Sequence, residues 1–255
     1  MGQRHDVTVL FTDVRNFTTR SEKLGPEGTF KFINACLETF EPIVRTNGGF
    51  VDKFIGDAIM AIFPRSSADA VRAAIALQGA VAQFNEARPT QPLPLAIGVG
   101  IHRGPVVLGT VGGAERLEVT AIGDAVNVAA RLEILTKTLG TGTLISEDAL
   151  GSDRTNLRRV GAVRVKGRQE PVELFEVLEA VADPEERGQK AASDERLQRG
   201  LRAYAQADIA RALEHFEAAR AAAPRDHVIA LYVERCRAFL TDGVPATFAG
   251  DLFDV

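Results

Sequence analysis

Only two cysteines, Cys36 and Cys236, occur in the 255 residues. They lie far apart and fit no metal-ligand spacing, which excludes a disulfide-stapled scaffold and a zinc module. Cys36 falls inside a helical pattern and reads as a buried thiol, and both residues suit a reducing, cytoplasmic compartment. No apolar run approaches eighteen residues and the N-terminus carries no signal-peptide core, so no membrane insertion is expected. Neither charge dominates: 34 acidic against 30 basic residues leave a net charge of −4. That balance argues against nucleic acid as the main partner and leaves room for a local anion site. A hydrophobic content of 45% is enough for one full-sized core and a smaller second unit. The first strand begins within a few residues of Met1, which points to a piece of a longer protein or to an unusual mode of regulation.

What is present alternates between strand and helix periods. Val7 to Phe11 form an apolar run ending at Thr12-Asp13, the pattern of a central strand. Residues 26–46 carry a helical stripe of Phe30, Ile33, Leu37, Phe40 and Val44, stopped by Asn47-Gly48-Gly49. Two apolar runs, 50–54 and 58–63, flank Ile55-Gly56-Asp57 and predict a hairpin. A helix over 68–84 and a linker over 89–94 follow. Leu95, Ile97, Val99 and Ile101 then alternate with Ala96, Gly98 and Gly100, giving a strand whose glycine face admits a helix or ligand at close range. Strands at 105–111 and 117–122, a helix at 124–139, and strands at 143–145, 157–165 and 171–178 complete the unit. The fold class is α+β: a ferredoxin-like βαββαβ core with appended strands. Helices cover one sheet face, so the other is expected to meet a partner or stay exposed.

The composition changes after residue 178. Residues 1–180 read as the catalytic unit, 181–195 as a linker or weak helix, and 196–255 as a small all-α segment. Gly200, Ala212, Phe216, Ala219 and Pro224 fall at the spacings of the small, aromatic and proline positions of a tetratricopeptide repeat. A plain helical hairpin satisfies the same spacing. The segment holds no clustered carboxylate or phosphate-binding motif. It is expected to serve regulation by an upstream domain or a protein partner, and to be dispensable for a chain ending near residue 182.

Asp13 ends the first strand and Asp57 sits in the hairpin turn. In a βαββ unit both reach one position, where paired carboxylates suit a hard divalent cation, although aspartate is also common at turns. Lys53 interrupts an apolar strand, as a residue snorkelling at an edge or as one serving a ligand. Asn127 and Arg131 share a helix face, fit either for a sugar and a phosphoryl oxygen or for solvent and a salt bridge from Arg131 to Glu133 or Glu118. Lys166 stands among Arg154, Arg158, Arg159 and Arg164, on a solvated strand edge or around a polyphosphate.

Taken together, four stretches resemble the class III adenylate and guanylate cyclases over roughly residues 5–178. Phe11-Thr12-Asp13-Val14-Arg15-Asn16-Phe17-Thr18 is similar to the first metal motif of that family. The run from Gly48 through Lys53 to Asp57 and Phe63 is similar to the second. Gly100-Ile101-His102-Arg103-Gly104, with Gly109 and Gly112, matches its glycine-rich middle. Thr120-Ala121-Ile122-Gly123-Asp124-Ala125-Val126-Asn127 through Arg131 to Glu133 resembles its catalytic helix.

The resemblance implies two Mg²⁺ ions per site, with Mn²⁺ able to substitute, held by Asp13, Asp57 and the backbone carbonyl of Val14. It implies that Lys53 and Thr120 read the purine, Asn127 orients the ribose, Arg131 stabilises charge at the α-phosphorus and Lys166 contacts the outer phosphates. It implies a homodimer in which one subunit gives the metal pair and the other gives the remaining groups. Lys53 with Thr120 favours ATP, because a guanylate cyclase of this family is expected to carry Glu and Cys or Ser there. A guanylate or relaxed-specificity cyclase and a non-catalytic regulatory domain are the alternatives. Val119 stands where bacterial members often carry an aromatic residue, which softens the pocket wall. His102 lies outside the family's functional positions and reads as structural. The acidic turn of a diguanylate cyclase is missing.

Overall fold

A computed structural model describes residues 2–89, 93–113, 116–151, 154–165 and 170–252. The elements run β1 (Gln3–Val14), α1 (Phe17–Thr46), β2 (Phe50–Ile55), β3 (Ala58–Phe63), α2 (Ser67–Glu86), β4 (Ile97–Gly113), β5 (Arg116–Ile122) and α3 (Asp124–Leu139). They continue with β6 (Thr143–Ser146), β7 (Leu157–Val163), β8 (Val172–Val177), α4 (Pro184–Ala205), α5 (Ile209–Ala222) and α6 (His227–Asp242). The sheet has eight strands in the order β2-β3-β1-β4-β6-β8-β7, with β5 paired to β4. β1 runs antiparallel to both β3 and β4, and among the described residues only the β4–β6 pair is parallel. The order β2-β3-β1-β4 is that of the ferredoxin-like βαββαβ unit, to which β5 to β8 are added.

Alternation along β1 sorts the two faces. Leu10 and Val14 point to one core with Phe40, Val44 and the alanines of α2. Val7, Val9 and Phe11 point to the other, where they meet Met60, Ile62 and the small residues Ala125 and Ala129 of α3. The second face is therefore partly covered by the chain's own helix, a correction to the expectation that all helices lie on one side. Gly98 and Gly100 make room for it. A methyl group on Gly100 would lie 2.3 Å from the backbone nitrogen of Glu133 and 2.4 Å from the carbonyl oxygen of Ala129.

Three further details differ from the periodicity. α1 begins at Phe17, with one non-helical residue at Gly25 (φ 66°, ψ 175°) where two helical pieces join. Phe30, placed on the buried stripe by spacing, is 68% exposed; the buried residues further along are Cys36, Phe40 and Val44. The two strands expected on either side of residue 104 are one continuous β4, paired with β1 from Ile97 to Leu108.

Residues 181–195, expected as a linker or weak helix, are helical from Pro184 onward. Asp183 caps α4 by accepting from the Glu185 N–H, and Pro184 occupies the first turn. α4, α5 and α6 share one apolar cluster with α3, β6, β7 and β8. Their ring contacts include Phe216 stacked on Tyr232 at 4.7 Å and Tyr204 edge-on to Tyr232 at 5.2 Å. Gly200 lets Phe216 in, since a methyl there would lie 2.4 Å from the ring. β7 is a sheet edge, and the C-terminal helices and the segment after them cover it: Gln198 donates to the Arg159 carbonyl, Tyr232 to that of Val160 and the Leu252 N–H to that of Ala162. No helix among the described residues is long and apolar enough to cross a membrane.

Candidate active site

Asp13 lies at the end of β1 opposite Gly98 of β4. Asp57 follows Gly56, whose φ of 63° closes the β2–β3 turn. The fold brings the two carboxyl groups into contact. Burial, then its own hydrogen bond to Asp13 and the negative charge there, push the Asp57 carboxyl up to about 7, against backbone hydrogen bonds at Asp57 and Val14 that favour its charge. The Val14 N–H donates to Asp13 Oδ1 at 2.9 Å. Two half-buried carboxyl groups in contact are a pair that a divalent cation relieves, so the donor set fits Mg²⁺. Among the described residues no group of three or more His, Cys, Asp or Glu side chains is placed to hold a metal. The pair would complete a coordination shell from backbone, water and phosphate oxygens.

A third carboxyl lies beside this pair. Glu133 of α3 is buried and meets Arg15 at 3.2 Å. Burial pushes Glu133 up to about 7; Arg15 opposes the rise and the charge of Asp13 adds to it. Burial likewise lowers the Arg15 guanidinium, against Glu133 and Asp13. Glu133 thus ties the helix carrying Arg131 electrostatically to the end of β1.

Lys53 and Thr120 also come together, through a residue that periodicity does not single out. The Thr120 hydroxyl donates to Asp52 Oδ2 at 2.7 Å, and the Ala121 N–H reaches Asp52 Oδ1 at 3.3 Å. Lys53 Nζ stands 3.7 Å from the same Oδ2, and the Asp52 side chain is 3% exposed. The β2–β3 register slips between Val51 and Lys53, so Asp52 is an extra, bulged residue free to turn toward β5.

Asn127 and Arg131 share a face of α3, the first exposed and the second half-buried. Gly104 and Gly123 let the start of α3 close on β4, since methyl groups there would meet Ala125 Cβ at 3.1 Å and the Pro105 carbonyl oxygen at 2.7 Å. Ile134, in the neighbouring apolar row, is 63% exposed. His102 is buried, with Nδ1 at 2.7 Å from Ser146 Oγ, which suits a structural role. Lys166 lies outside the described residues. The structure thus forms two clusters, Asp13–Asp57 with Val14 and Lys53–Asp52–Thr120, and gives Asn127 and Arg131 a common face.

The Adenylate and Guanylate cyclase catalytic domain family matches residues 1–178. The adenylate cyclase of Anabaena cylindrica is 43% identical over 182 residues, covering 67% of this chain and 36% of that protein. Adenylate cyclase 1 of Rhizobium meliloti is 36% identical over 187 residues, covering 70% and 28%. The chain thus spans about a third of the length of these relatives. Among solved structures, the adenylyl cyclase CyaB of P. aeruginosa superposes with a TM-score of 0.62 at 32% identity over 69% of this chain and 95% of that one. The guanylyl cyclase Cya2 gives 0.61 at 31% identity over 69% and 93%. With the sheet order, the paired aspartates and the helix bearing Asn127 and Arg131 in place, this chain belongs to the adenylate and guanylate cyclase catalytic-domain family.

Proposed function

We propose that the chain is an adenylate cyclase, converting ATP to 3′,5′-cyclic AMP and pyrophosphate. The observation that carries this reading is the meeting of Lys53 and Thr120 at one buried carboxylate, beside β5. A lysine donor and a hydroxyl side by side fit the N1 acceptor and the N6 amino donor of adenine. Both named relatives are adenylate cyclases.

In this reaction the substrate's 3′-oxygen attacks its own α-phosphorus, and the bond to the β-phosphate oxygen breaks. The step is intramolecular, so the protein's main task is to hold ribose and triphosphate in line. Asn127 orients the ribose, and Arg131, on the same helix face, takes up the charge that grows on the α-phosphoryl oxygens. Lys166 neutralises the outer phosphates. Asp13, Asp57 and the Val14 carbonyl would hold two Mg²⁺ ions, or Mn²⁺ in their place, which when bound supply Lewis acidity at the 3′-oxygen and charge for the leaving pyrophosphate.

The active species is a homodimer with composite sites. Exposed apolar residues support this: Val107 and Ile122 are cross-strand neighbours on one face, 46% and 54% exposed. The partner buries this surface and brings its metal pair to the Lys53–Thr120 cluster. The C-terminal helices are the attachment for an upstream regulatory domain or a protein partner. The test is product formation by the purified chain with Mg²⁺, run separately with ATP and GTP. Cyclic AMP formed in preference to cyclic GMP supports the reading; cyclic GMP as the main product makes it a guanylate cyclase, and neither product makes it a regulatory domain.

A further inference from the structure

We propose that Asp52 is a specificity-determining positioning residue, which sets the hydrogen-bonding polarity of the base pocket without touching the base. The inference rests on the adenine-edge reading of Lys53 and Thr120. Three observations carry it. The Asp52 side chain is 3% exposed. One of its oxygens accepts the Thr120 hydroxyl at 2.7 Å. That oxygen also stands 3.7 Å from the Lys53 ammonium.

A threonine hydroxyl alone is ambiguous, since it rotates to donate or accept as its neighbour requires. It can satisfy the 6-amino group of adenine or the 6-oxo group of guanine. An ionised carboxylate removes the choice because it only accepts. With its proton committed to Asp52, Thr120 turns only lone pairs to a ligand, and these match an amino group and repel an oxo group. Lys53 has no acceptor, so it matches the unprotonated N1 of adenine and opposes the N1–H of guanine. The shared carboxylate oxygen holds the two groups next to each other. The pattern presented is an acceptor beside a donor, the complement of adenine and the inverse of guanine.

The backbone explains how the carboxylate gets there. Successive side chains of a regular strand point to opposite faces, so Asp52 and Lys53 would part company. The register slip between Val51 and Lys53 leaves Asp52 unpaired with β3. Its carboxylate is then anchored by the Ala121 N–H at 3.3 Å, one residue beyond Thr120. Bulges of this kind re-aim side chains beside functional sites.

The test compares kcat/KM for ATP and GTP in wild type, Asp52→Asn, Thr120→Val and the double variant, each first shown to be folded by its thermal transition. Asparagine keeps the size of the side chain but can donate as well as accept, which frees the Thr120 hydroxyl to turn. We expect the ATP-to-GTP ratio of Asp52→Asn to fall at least tenfold, mainly through KM. We also expect Asp52→Asn to leave the ratio unchanged in the Thr120→Val background, because it acts through that hydroxyl. If Asp52→Asn does not fold, Asp52→Ser, smaller and also able to donate, is read the same way. A variant that loses rate with both nucleotides while keeping the wild-type ratio overturns the proposal and leaves the adenine reading standing. So does a loss of ratio that persists in full without the Thr120 hydroxyl. A wild-type chain with no preference for ATP sinks the adenine reading, and the role of Asp52 with it.

Discussion

The backbone of Glu133 lies so close to Gly100 that a single methyl group on the strand would sit 2.3 Å from its nitrogen. The contact is with main chain, so no side-chain rotation relieves it. Gly100→Ala must lift α3 from the sheet, and overpacking of this kind costs about 1–3 kcal/mol. A thermal transition lowered by about 2–10 °C is expected. Because α3 carries Asn127 and Arg131, kcat should fall more than KM rises. A variant with wild-type stability and kcat would show that α3 is not seated on this glycine.

Asp57 gives a pH dependence whose sign follows from its environment. Its carboxyl is raised from an ordinary 3.8 to about 7. The folded state therefore holds the proton more tightly than the unfolded chain, and stability contributed below about pH 4 is lost as pH rises through about 7. A bound cation must displace that proton. The stabilisation by Mg²⁺ or Mn²⁺ should accordingly be larger at pH 8 than at pH 6, as read from thermal shifts at equal metal concentration. Asp57→Asn should raise the metal-free thermal transition at pH 8 by about 2–4 °C, on the order of 1 kcal/mol after solvent screening. It should also abolish the metal-dependent shift. An equal metal response at both pH values would contradict a proton held on Asp57.

The readable parts of the sequence were those governed by one local period. The helix 124–139 and the hairpin around Gly56 follow directly from apolar spacing and a left-handed glycine. Asp13 and Asp57 were findable because each ends an element whose neighbour is fixed by the βαββ order. Asp52 was not, because its position depends on a one-residue slip that strand alternation cannot show. The contact of Glu133 with Arg15 was not legible either, because Arg15 follows β1, far away in sequence. Phe30 fitted the stripe of α1 but lies on a part of that helix with no core beneath it. The cover over β7 was hidden for a related reason: the cap is made by side chains and an N–H that bond to carbonyls, which leave no trace in composition.

That cover changes what removal of the C-terminal helices should do. Arg158 is fully buried and meets Glu176 at 3.1 Å and Asp226 at 2.5 Å, while Lys190 meets Glu176 at 2.5 Å. A chain ending near residue 182 loses Lys190 and Asp226 and uncovers the β7 carbonyls and the apolar residues around Val160 and Leu174. Breaking a buried ionic group by removing partners costs about 3–5 kcal/mol. The truncated chain is therefore expected to unfold at lower temperature or to aggregate, which reverses the dispensability suggested by composition. Asp226→Ala in the full chain is the milder test and should lower the thermal transition by about 6–20 °C. A soluble truncated chain with the full thermal stability and kcat would restore the separable tail.

The homodimer with composite sites makes the sharpest demand on activity. If Asp13 and Asp57 act with Arg131 of the other subunit, Asp57→Ala and Arg131→Ala each disable both sites of their own homodimer. Mixing the two variants builds heterodimers in which one site has lost both groups and the other retains every one. Half the chains at a one-to-one mixture enter such pairs if exchange is random, so activity should recover to about a quarter of the wild-type rate per chain. The recovery must scale with heterodimer formation, measured by differently tagged chains, and must vanish when either variant is replaced by the double variant. Parents that remain inactive after heterodimers are verified would show that each site is built within one chain. The exposed Val107 and Ile122 surface would then need another occupant.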